Sequence, residues 1–296
     1  MEELRSGIIK NEISHSILKN NVISAYVLRL DLIHPVISGN KWYKLKGFLQ
    51  EASDTQAKTI VTWGGAYSNH IVATAAVCKL KGFKSIGIIR GEHANGLSPS
   101  LSLAIELGME LIHTSRAAYQ RKELPPALIE QRDYYLIPEG GYGHKGMEGA
   151  KNILGVDTEC YTHIMTSVGT GTTIAGLIEA STINQRVIGI SALKNNHSLN
   201  AAINQLVSPA NQNRFNLEHA YHFGGYAKKN EELIHFMNEW YAATGIPSDF
   251  VYTAKMFYAF TSMCKQRFFG PGSSILLIHT GGLQGNLSLP KGTLIF

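Results

Sequence analysis

The stretch VGTGTTIAG at residues 168–176 decides the fold, because it joins an apolar run at 163–167 to a helix-forming run through glycines and threonines. Consecutive backbone N–H groups at the start of a helix, flanked by threonine hydroxyls, bind anions such as phosphate. A dinucleotide fingerprint would require glycine where Ile174 stands, and a P-loop would require lysine where Leu177 follows Gly176. The stretch therefore predicts a strand, a phosphate-binding turn and a helix. The alternative is a glycine-rich turn that binds no ligand.

On both sides of this stretch, short apolar runs alternate with runs of helical periodicity. Such alternation is typical of βαβ units, in which helices cover both faces of parallel strands. The predicted strands are 22–32, 59–63, 85–90, 110–114, 134–137, 163–167, 186–193, 219–223 and 274–279. The predicted helices are 41–52, 69–81, 99–107, 127–132, 145–154, 172–180, 199–207, 230–244 and 253–268. Because these strands exceed the usual size of one sheet, we expect an α/β protein with two mostly parallel sheets and a cleft between them.

Composition and charge exclude several classes of protein. The 296 residues carry a net charge of +5, and 44% of them are hydrophobic, so we expect a packed core rather than disorder. The densest basic cluster, at 41–46, is too short for a nucleic-acid-binding stripe, and no apolar run is long enough for a membrane span. The three cysteines form neither a disulfide framework nor a metal-ligand pair, and the N-terminal residues lack the apolar segment of a signal peptide. We expect a cytoplasmic enzyme with no metal, no nucleic-acid partner and no membrane anchor.

The stretch GNKWYKLK at 39–46 contains a lysine in an unusual position. Lys41 would lie in the first turn of a predicted helix, where the helix dipole disfavours a cation. A lysine kept neutral there suits a nucleophile that forms a Schiff base with a carbonyl group. The alternative is an ordinary solvated lysine, which we also expect for Lys44 and Lys46.

Two more glycine turns follow predicted strands. In WGGAYSNH at 63–70, the residues 68–70 would begin a helix whose N–H groups could hold a carboxylate. In HTGGLQG at 279–285, the Thr280 hydroxyl would lie at the C-terminal end of a strand, where α/β proteins bind ligands. The alternatives are a helix N-cap formed by Ser68 or Asn69 and a simple glycine turn at 281–282.

In order and spacing these loops resemble the pyridoxal-phosphate-dependent 1-aminocyclopropane-1-carboxylate deaminase/D-cysteine desulfhydrase family, which has the tryptophan synthase β-like fold type II. The resemblance runs from about residue 29 to residue 285. The matching segments are Arg29-Leu30-Asp31, Gly39-Asn40-Lys41 with Lys44-Leu45, Gly64-Gly65 with Ser68-Asn69, Ile137-Pro138 with Gly140, Thr170-Gly171-Thr172-Thr173 with Ala175-Gly176, Val251-Tyr252-Thr253 with Lys255, and His279-Thr280-Gly281-Gly282.

The resemblance implies pyridoxal 5'-phosphate as cofactor and a small amino acid as substrate. The implied cofactor-binding residues are Lys41, Asn69, Thr170, Gly171, Thr172, Thr173 and Thr253. The implied substrate-binding residues are Ser68, Asn69, His70, Tyr226, Tyr252 and Thr280. Lys41 would form the Schiff base, Asn69 would reach the phenolic oxygen of the cofactor, and Thr253 would face its pyridine nitrogen. Ser68 and Tyr252 are the further catalytic candidates.

The same resemblance implies an arrangement of domains. A large cofactor domain would comprise residues 1–43 and 139–296, and a small α/β domain would be inserted at 44–138, with the cofactor in the cleft. Each domain would contain an open, twisted, mostly parallel sheet flanked by helices. Members of the family are usually dimers, so we expect a homodimer.

The identities of residues 253 and 280 favour one branch of the family. Members that open a cyclopropane have glutamate after the tyrosine and leucine after the histidine, whereas this chain has Thr253 and Thr280. A hydroxyl opposite the pyridine nitrogen gives a weaker electron sink, which suffices when a good leaving group such as thiolate is on the β-carbon. We therefore expect α,β-elimination of D-cysteine to pyruvate, ammonia and hydrogen sulfide. The alternatives are 1-aminocyclopropane-1-carboxylate deamination to 2-oxobutyrate, a racemase or dehydratase acting on D-serine, and a non-catalytic phosphate-ligand binding protein.

Overall fold

The computed structural model describes residues 8–37, 39–92, 96–130 and 133–296. Its strands are β1 (Lys10–Glu12), β2 (Ser24–Arg29), β3 (Thr59–Gly64), β4 (Lys84–Arg90), β5 (Met109–Thr114), β6 (Tyr134–Ile137), β7 (His163–Val168), β8 (Arg186–Ser191), β9 (Phe215–Glu218) and β10 (Ser274–His279). Its helices are α1 (Ser16–Asn21), α2 (Asn40–Asp54), α3 (Asn69–Lys81), α4 (Pro99–Glu106), α5 (Arg116–Arg121), α6 (Pro126–Ile129), α7 (His144–Lys151), α8 (Thr172–Ala180), α9 (Leu199–Asn204), α10 (Glu231–Thr244) and α11 (Thr253–Lys265). In the described part of the chain, no helix is both long and apolar enough to cross a membrane.

The strands form two sheets. The larger has the order β1-β2-β10-β7-β8-β9, and all its neighbours are parallel except β1 and β2. The smaller has the order β5-β4-β3-β6 and is parallel throughout. The predicted α/β fold with two mostly parallel sheets flanked by helices is therefore confirmed.

The larger sheet is covered on both faces, as its apolar strands predict. Leu276 and Ile278 of β10 pack in one core cluster with residues of α7 and α8. Ile275 and Leu277 alternate with them and pack in a second cluster with residues of α11. Successive side chains of a strand point to opposite faces, so a single apolar run supplies both cores.

The strands of the two sheets come from different parts of the chain. The smaller sheet takes its strands from residues 59–137, and the larger takes them from residues 10–29 and 163–279. The predicted boundary between residues 43 and 44 falls inside α2. The division into domains at 1–43, 44–138 and 139–296 stays a prediction.

Several predicted elements are wrong in position or extent. Residues 219–223 form no strand, because the second partner of β8 is the earlier segment Phe215–Glu218 and the chain then turns through Phe223 in the left-handed region, with φ 49°. The first predicted strand is shorter, since Val22 has φ 56° and a 3₁₀ turn begins at Leu30. Strand β1 and helices α1 and α5 had no counterpart in the prediction, and the predicted helix end at 131–132 lies outside the described residues.

Candidate active site

A cavity of about 630 Å³ lies where three glycine turns meet the start of α2. The turns follow β3, β7 and β10, and they contribute Gly65, Gly169 and Gly281 to the lining. Helices α2, α3 and α8 all begin at this cavity. Since each helix start presents unpaired N–H groups and a partial positive charge, the cavity is suited to a ligand with several anionic groups.

Lys41 lines the cavity from the first turn of α2. Its ammonium nitrogen donates a hydrogen bond of 3.1 Å to Asn40 Oδ1. Burial lowers the pKa of Lys41 from 10.5 to about 8, and this lowering is partly opposed by the attraction of Asp249. The neutral amine is therefore far more populated near neutral pH than in an ordinary lysine, which favours attack on a carbonyl group.

Lys44 also lines the cavity, and the prediction that it is solvated is wrong. Its side chain is only 2% exposed, whereas Lys46 is exposed as predicted. Burial and the neighbouring charge of Lys41 hold the pKa of Lys44 well below its usual value. Lys44 forms no hydrogen bond or ion pair with any residue that the structure describes, so the cavity contains a buried basic group with room for an anionic partner.

The predicted phosphate-binding turn forms another wall of the cavity. Gly169, Thr170, Gly171 and Thr173 line the cavity, whereas the Thr172 side chain is buried behind them. Gly171 has φ +85°, and a Cβ atom there would lie 2.8 Å from Ile203 Cγ1, so the turn requires glycine. Asn40 links this turn to Lys41 through two hydrogen bonds. Its Oδ1 accepts from Lys41 Nζ, and its Nδ2 donates to Thr173 Oγ1 at 2.7 Å.

The start of α3 forms a further wall, with Ser68, Asn69 and His70 in the lining. The hydroxyl of Ser68 caps the helix by accepting from the backbone N–H of Ile71 at 3.4 Å. The Asn69 side-chain oxygen is buried without a hydrogen-bond partner. Buried polar atoms are nearly always paired, so this amide is suited to a ligand atom.

His70 is held by a chain of hydrogen bonds. Its Nε2 lies 2.8 Å from Thr62 Oγ1, which donates to the carbonyl oxygen of Ile137 at 2.8 Å. Because the Thr62 hydrogen is used there, Nε2 of His70 is the donor and Nδ1 keeps its lone pair. Burial and the charges of Lys41 and Lys44 hold the pKa of His70 well below its usual value, so the imidazole is neutral.

Tyr226 and Tyr252 lie together in the lining. Their rings pack edge to face, with 6.1 Å between the ring centroids. Burial raises the pKa of both phenols, so both stay protonated at neutral pH. A Cβ atom on Gly169 would lie 3.1 Å from Tyr252 Oη, which places this hydroxyl against the phosphate-binding turn.

Two threonines of the predicted site differ in position. Thr280 lines the cavity, and its hydroxyl lies 3.2 Å from Ser167 Oγ. Thr253 is fully buried outside the lining, and its hydroxyl donates to Asp249 Oδ2 at 2.6 Å. The carboxylate of Asp249 also accepts the N–H groups of residues 251–253 and so caps α11. The contact of Thr253 with a cofactor nitrogen stays a prediction.

Several lining residues were not among the predicted site residues. Asn40 could have been found, because it lies between the turn residue Gly39 and the predicted nucleophile Lys41. Lys44 had a signal too, since residues three apart share one face of a helix. Arg90 and Glu139 also line the cavity. Arg90 ends β4 with no motif around it, whereas Glu139 lies between Pro138 and Gly140 of a matching segment. Glu139 is paired with Lys122 at 2.5 Å.

The residues of the cavity fit pyridoxal phosphate. The start of α8 and the basic Lys44 would hold the phosphate, and Lys41 would bond to the aldehyde. The unpaired side-chain amide of Asn69 would meet a polar atom of the ring. Within the described part of the chain, no group of three or more His, Cys, Asp or Glu residues could hold a metal ion.

Comparison with known proteins agrees with this geometry. The family model described as "Pyridoxal-phosphate dependent enzyme" matches residues 14–281. A Thermotoga maritima protein named putative 1-aminocyclopropane-1-carboxylate deaminase is 34% identical over 283 residues, which cover 88% of this chain and 89% of that protein. A D-cysteine desulfhydrase of Klebsiella pneumoniae is 26% identical over 283 residues, which cover 87% of this chain and 86% of that protein.

A solved structure has the same fold over nearly the whole chain. It is the crystal structure of an ACC deaminase homologue, with a TM-score of 0.81 and 26% identity, and the match covers 96% of this chain and 91% of that one. The chain therefore belongs to the pyridoxal-phosphate-dependent enzymes, in the 1-aminocyclopropane-1-carboxylate deaminase/D-cysteine desulfhydrase family.

Proposed function

We propose that this enzyme catalyses α,β-elimination of D-cysteine to pyruvate, ammonia and hydrogen sulfide. The observation that carries the proposal is the scarcity of carboxylates among the described residues that line the cavity. Glu139 is the one carboxylate among the described lining residues, and Lys122 already pairs with it. Thr280 places a hydroxyl in the lining, whereas the Thr253 hydroxyl lies outside it and donates to Asp249. This arrangement favours a weak electron sink, which is sufficient for a substrate with a good leaving group.

The start of α3 would bind the substrate carboxylate. Ser68 and the first N–H groups of this helix line the cavity, and they lie at the positive end of a 13-residue helix. Held there, the α-carbon of the substrate would face the lysine side of the cavity. When bound, pyridoxal phosphate supplies the electron sink that accepts the pair left by the departing α-proton.

Lys41 is the proposed base. Its lowered pKa of about 8 makes Nζ basic yet partly unprotonated near neutral pH, which suits a group that accepts a proton and returns it. The hydrogen bond to Asn40 Oδ1 orients Nζ within the cavity.

Tyr252 and Tyr226 are the proposed donors toward the departing sulfur. Because burial raises the pKa of both phenols, their hydroxyls keep their protons and can hydrogen-bond to a sulfur atom that gains negative charge. The same property makes Tyr252 a poorer candidate for the base than Lys41.

The test is a product assay on the holoenzyme with D-cysteine, L-cysteine, D-serine and 1-aminocyclopropane-1-carboxylate. We expect equal amounts of pyruvate and sulfide from D-cysteine. The Lys41→Ala variant should release neither product, and the Lys46→Ala variant, which changes an exposed lysine of the same helix, should match the wild type. Holoenzyme that releases no pyruvate from D-cysteine would overturn the proposed reaction.

The second candidate function is 1-aminocyclopropane-1-carboxylate deamination, which the name of the Thermotoga maritima relative favours. Release of 2-oxobutyrate from the cyclopropane substrate would identify it. A non-catalytic binding protein would keep its affinity for the phosphate ligand in the Lys41→Ala variant. The expected homodimer is tested by light scattering of the purified holoenzyme.

A further inference from the structure

A further buried lysine, Lys255, lies outside the cavity in the first turn of α11. Lys255 is fully buried, and its ammonium nitrogen donates a hydrogen bond of 2.7 Å to the carbonyl oxygen of Gly225. Burial lowers the pKa of Lys255 to about 8, partly opposed by the attraction of Asp249. A long charged side chain is rarely fully buried without a specific partner, and here that partner is one backbone carbonyl.

The carbonyl belongs to a loop whose backbone has four positive φ angles, at Phe223, Gly224, Gly225 and Ala227. Residues Phe223 and Ala227 have φ 49° and 52°, and the two glycines between them have φ 91° and 116°. Side-chain-bearing residues rarely occupy this region, and they stay there only when surrounding contacts fix them. Within the loop, Gly225 donates to the carbonyl oxygen of His222, and its own carbonyl also accepts from the backbone N–H of Lys228 at 3.1 Å.

The loop contributes Tyr226 to the lining of the cavity. Tyr226 directly follows the carbonyl that Lys255 holds, and it meets Tyr252 in the cavity. Tyr252 is the N-cap of α11, three residues before Lys255. The Lys255 side chain therefore links α11 to the loop by a hydrogen bond, beside the aromatic contact of Phe223 with Tyr258. A tyrosine of the site lies near each end of this link, Tyr252 on the helix and Tyr226 on the loop.

We propose that Lys255 is a positioning residue, whose ammonium group holds the Gly225 carbonyl and thereby fixes Tyr226 beside Tyr252. The role of the two tyrosines in this inference rests on the proposed function. The contact between Lys255 and the Gly225 carbonyl does not depend on that function. Lys255 touches neither cofactor nor substrate in this scheme. It acts through the backbone of the loop.

The first test is hydrogen exchange on the holoenzyme, followed by mass spectrometry of peptides that cover 222–228. The Lys255→Met variant keeps the length of the side chain but loses its donor. We expect exchange in these peptides to accelerate about tenfold or more, as for the loss of a hydrogen bond from a charged group. The matched control is Lys265→Met, which removes an exposed lysine from the last turn of the same helix and should leave the loop unchanged.

The second test is a double-mutant cycle on turnover of the amino acid that the product assay identifies. If Lys255 acts through Tyr226, the Lys255→Met and Tyr226→Phe variants each lower kcat/KM, and the double variant loses no more than the worse single variant. A general loss of stability would instead lower the fraction of active enzyme, with KM unchanged. Should Lys255→Met fail to fold, Lys255→Leu, which also lacks a donor, replaces it in both tests.

Unchanged exchange at 222–228, or losses that multiply in the double variant, would overturn the positioning role. Failure of the proposed reaction would be seen separately, because D-cysteine would then give no pyruvate while the exchange result still stood. In that case the double-mutant cycle is measured on the affinity of the cofactor-loaded variants for D-alanine, an amino acid without a leaving group.

Discussion

Replacing Lys41 with methionine should stabilise the cofactor-free protein. The folded chain buries Lys41 and lowers its pKa from 10.5 to about 8, so folding at neutral pH either strips a proton from this amine or buries its charge. At about 1.4 kcal/mol per pKa unit, the cost is about 3 kcal/mol. Methionine has a similar length and no charge, so the Lys41→Met variant avoids this cost.

The sign of the pH dependence follows from the direction of the pKa change. A base whose pKa is lowered on folding destabilises the folded state fully below its folded pKa, here about 8. The cost declines as the pH rises from about 8 to about 10.5, because the unfolded chain then loses its proton as well. The advantage of Lys41→Met should therefore be largest near pH 7 and fall to roughly half by about pH 9.5.

The assay is urea unfolding of the cofactor-free proteins, followed by circular dichroism at both pH values. Lys46→Met is the matched control, because it removes an exposed lysine from the same helix and should change the free energy of unfolding by less than about 0.5 kcal/mol. An unfolding free energy of Lys41→Met no higher than that of the wild type at pH 7 would refute the reasoning. A gain of equal size at both pH values would refute it too, since the stabilisation would then have another source.

Three further variants test the walls of the cavity. Lys44→Met should weaken pyridoxal phosphate binding about tenfold or more, because it removes a buried base that has no partner among the described residues, and equilibrium dialysis measures the loss. Gly171→Ala should also weaken binding, since a Cβ atom would lie 2.8 Å from Ile203 Cγ1 at a φ of +85°; unchanged affinity would contradict the role of this turn. Thr280→Leu removes the contact of 3.2 Å with Ser167 Oγ, and we expect a lower rate of pyruvate release from D-cysteine with cofactor binding within about threefold of the wild type.

The order of strands and helices could be predicted because hydrophobic periodicity is a local property of the chain. The strands β7 and β10 lie within one residue of their predicted bounds, and each is apolar because both of its faces are covered. The edge strand β9 could not be placed in the same way. Its residues FNLE are half polar and are no more apolar than the following HAYHF, and only the pairing with β8 selects the first of these segments.

The candidate site was predictable where a turn has its own chemistry. Glycine at a helix start, or serine before one, is visible in a few residues, and such turns are found at Gly171 and Ser68. Burial is not visible in this way. Lys44 and Lys46 look alike in the sequence, yet Lys44 is buried at the cavity and Lys46 is exposed, because residues three apart share a helix face whereas residues five apart do not.

The electrostatics of the cavity explain why these features occur together. Three helix starts and the basic groups of Lys41 and Lys44 converge on one cavity, and the lowered pKa values of both lysines show that the protein alone does not offset their charge. Glu139, the one acidic residue among the described lining residues, pairs with Lys122 instead. A phosphate dianion bound here would supply negative charge beside these lysines, which a neutral ligand would not. The predicted phosphate-binding turn and the two lysines would then act together, because the bound cofactor would recover the stability that burying the lysines costs.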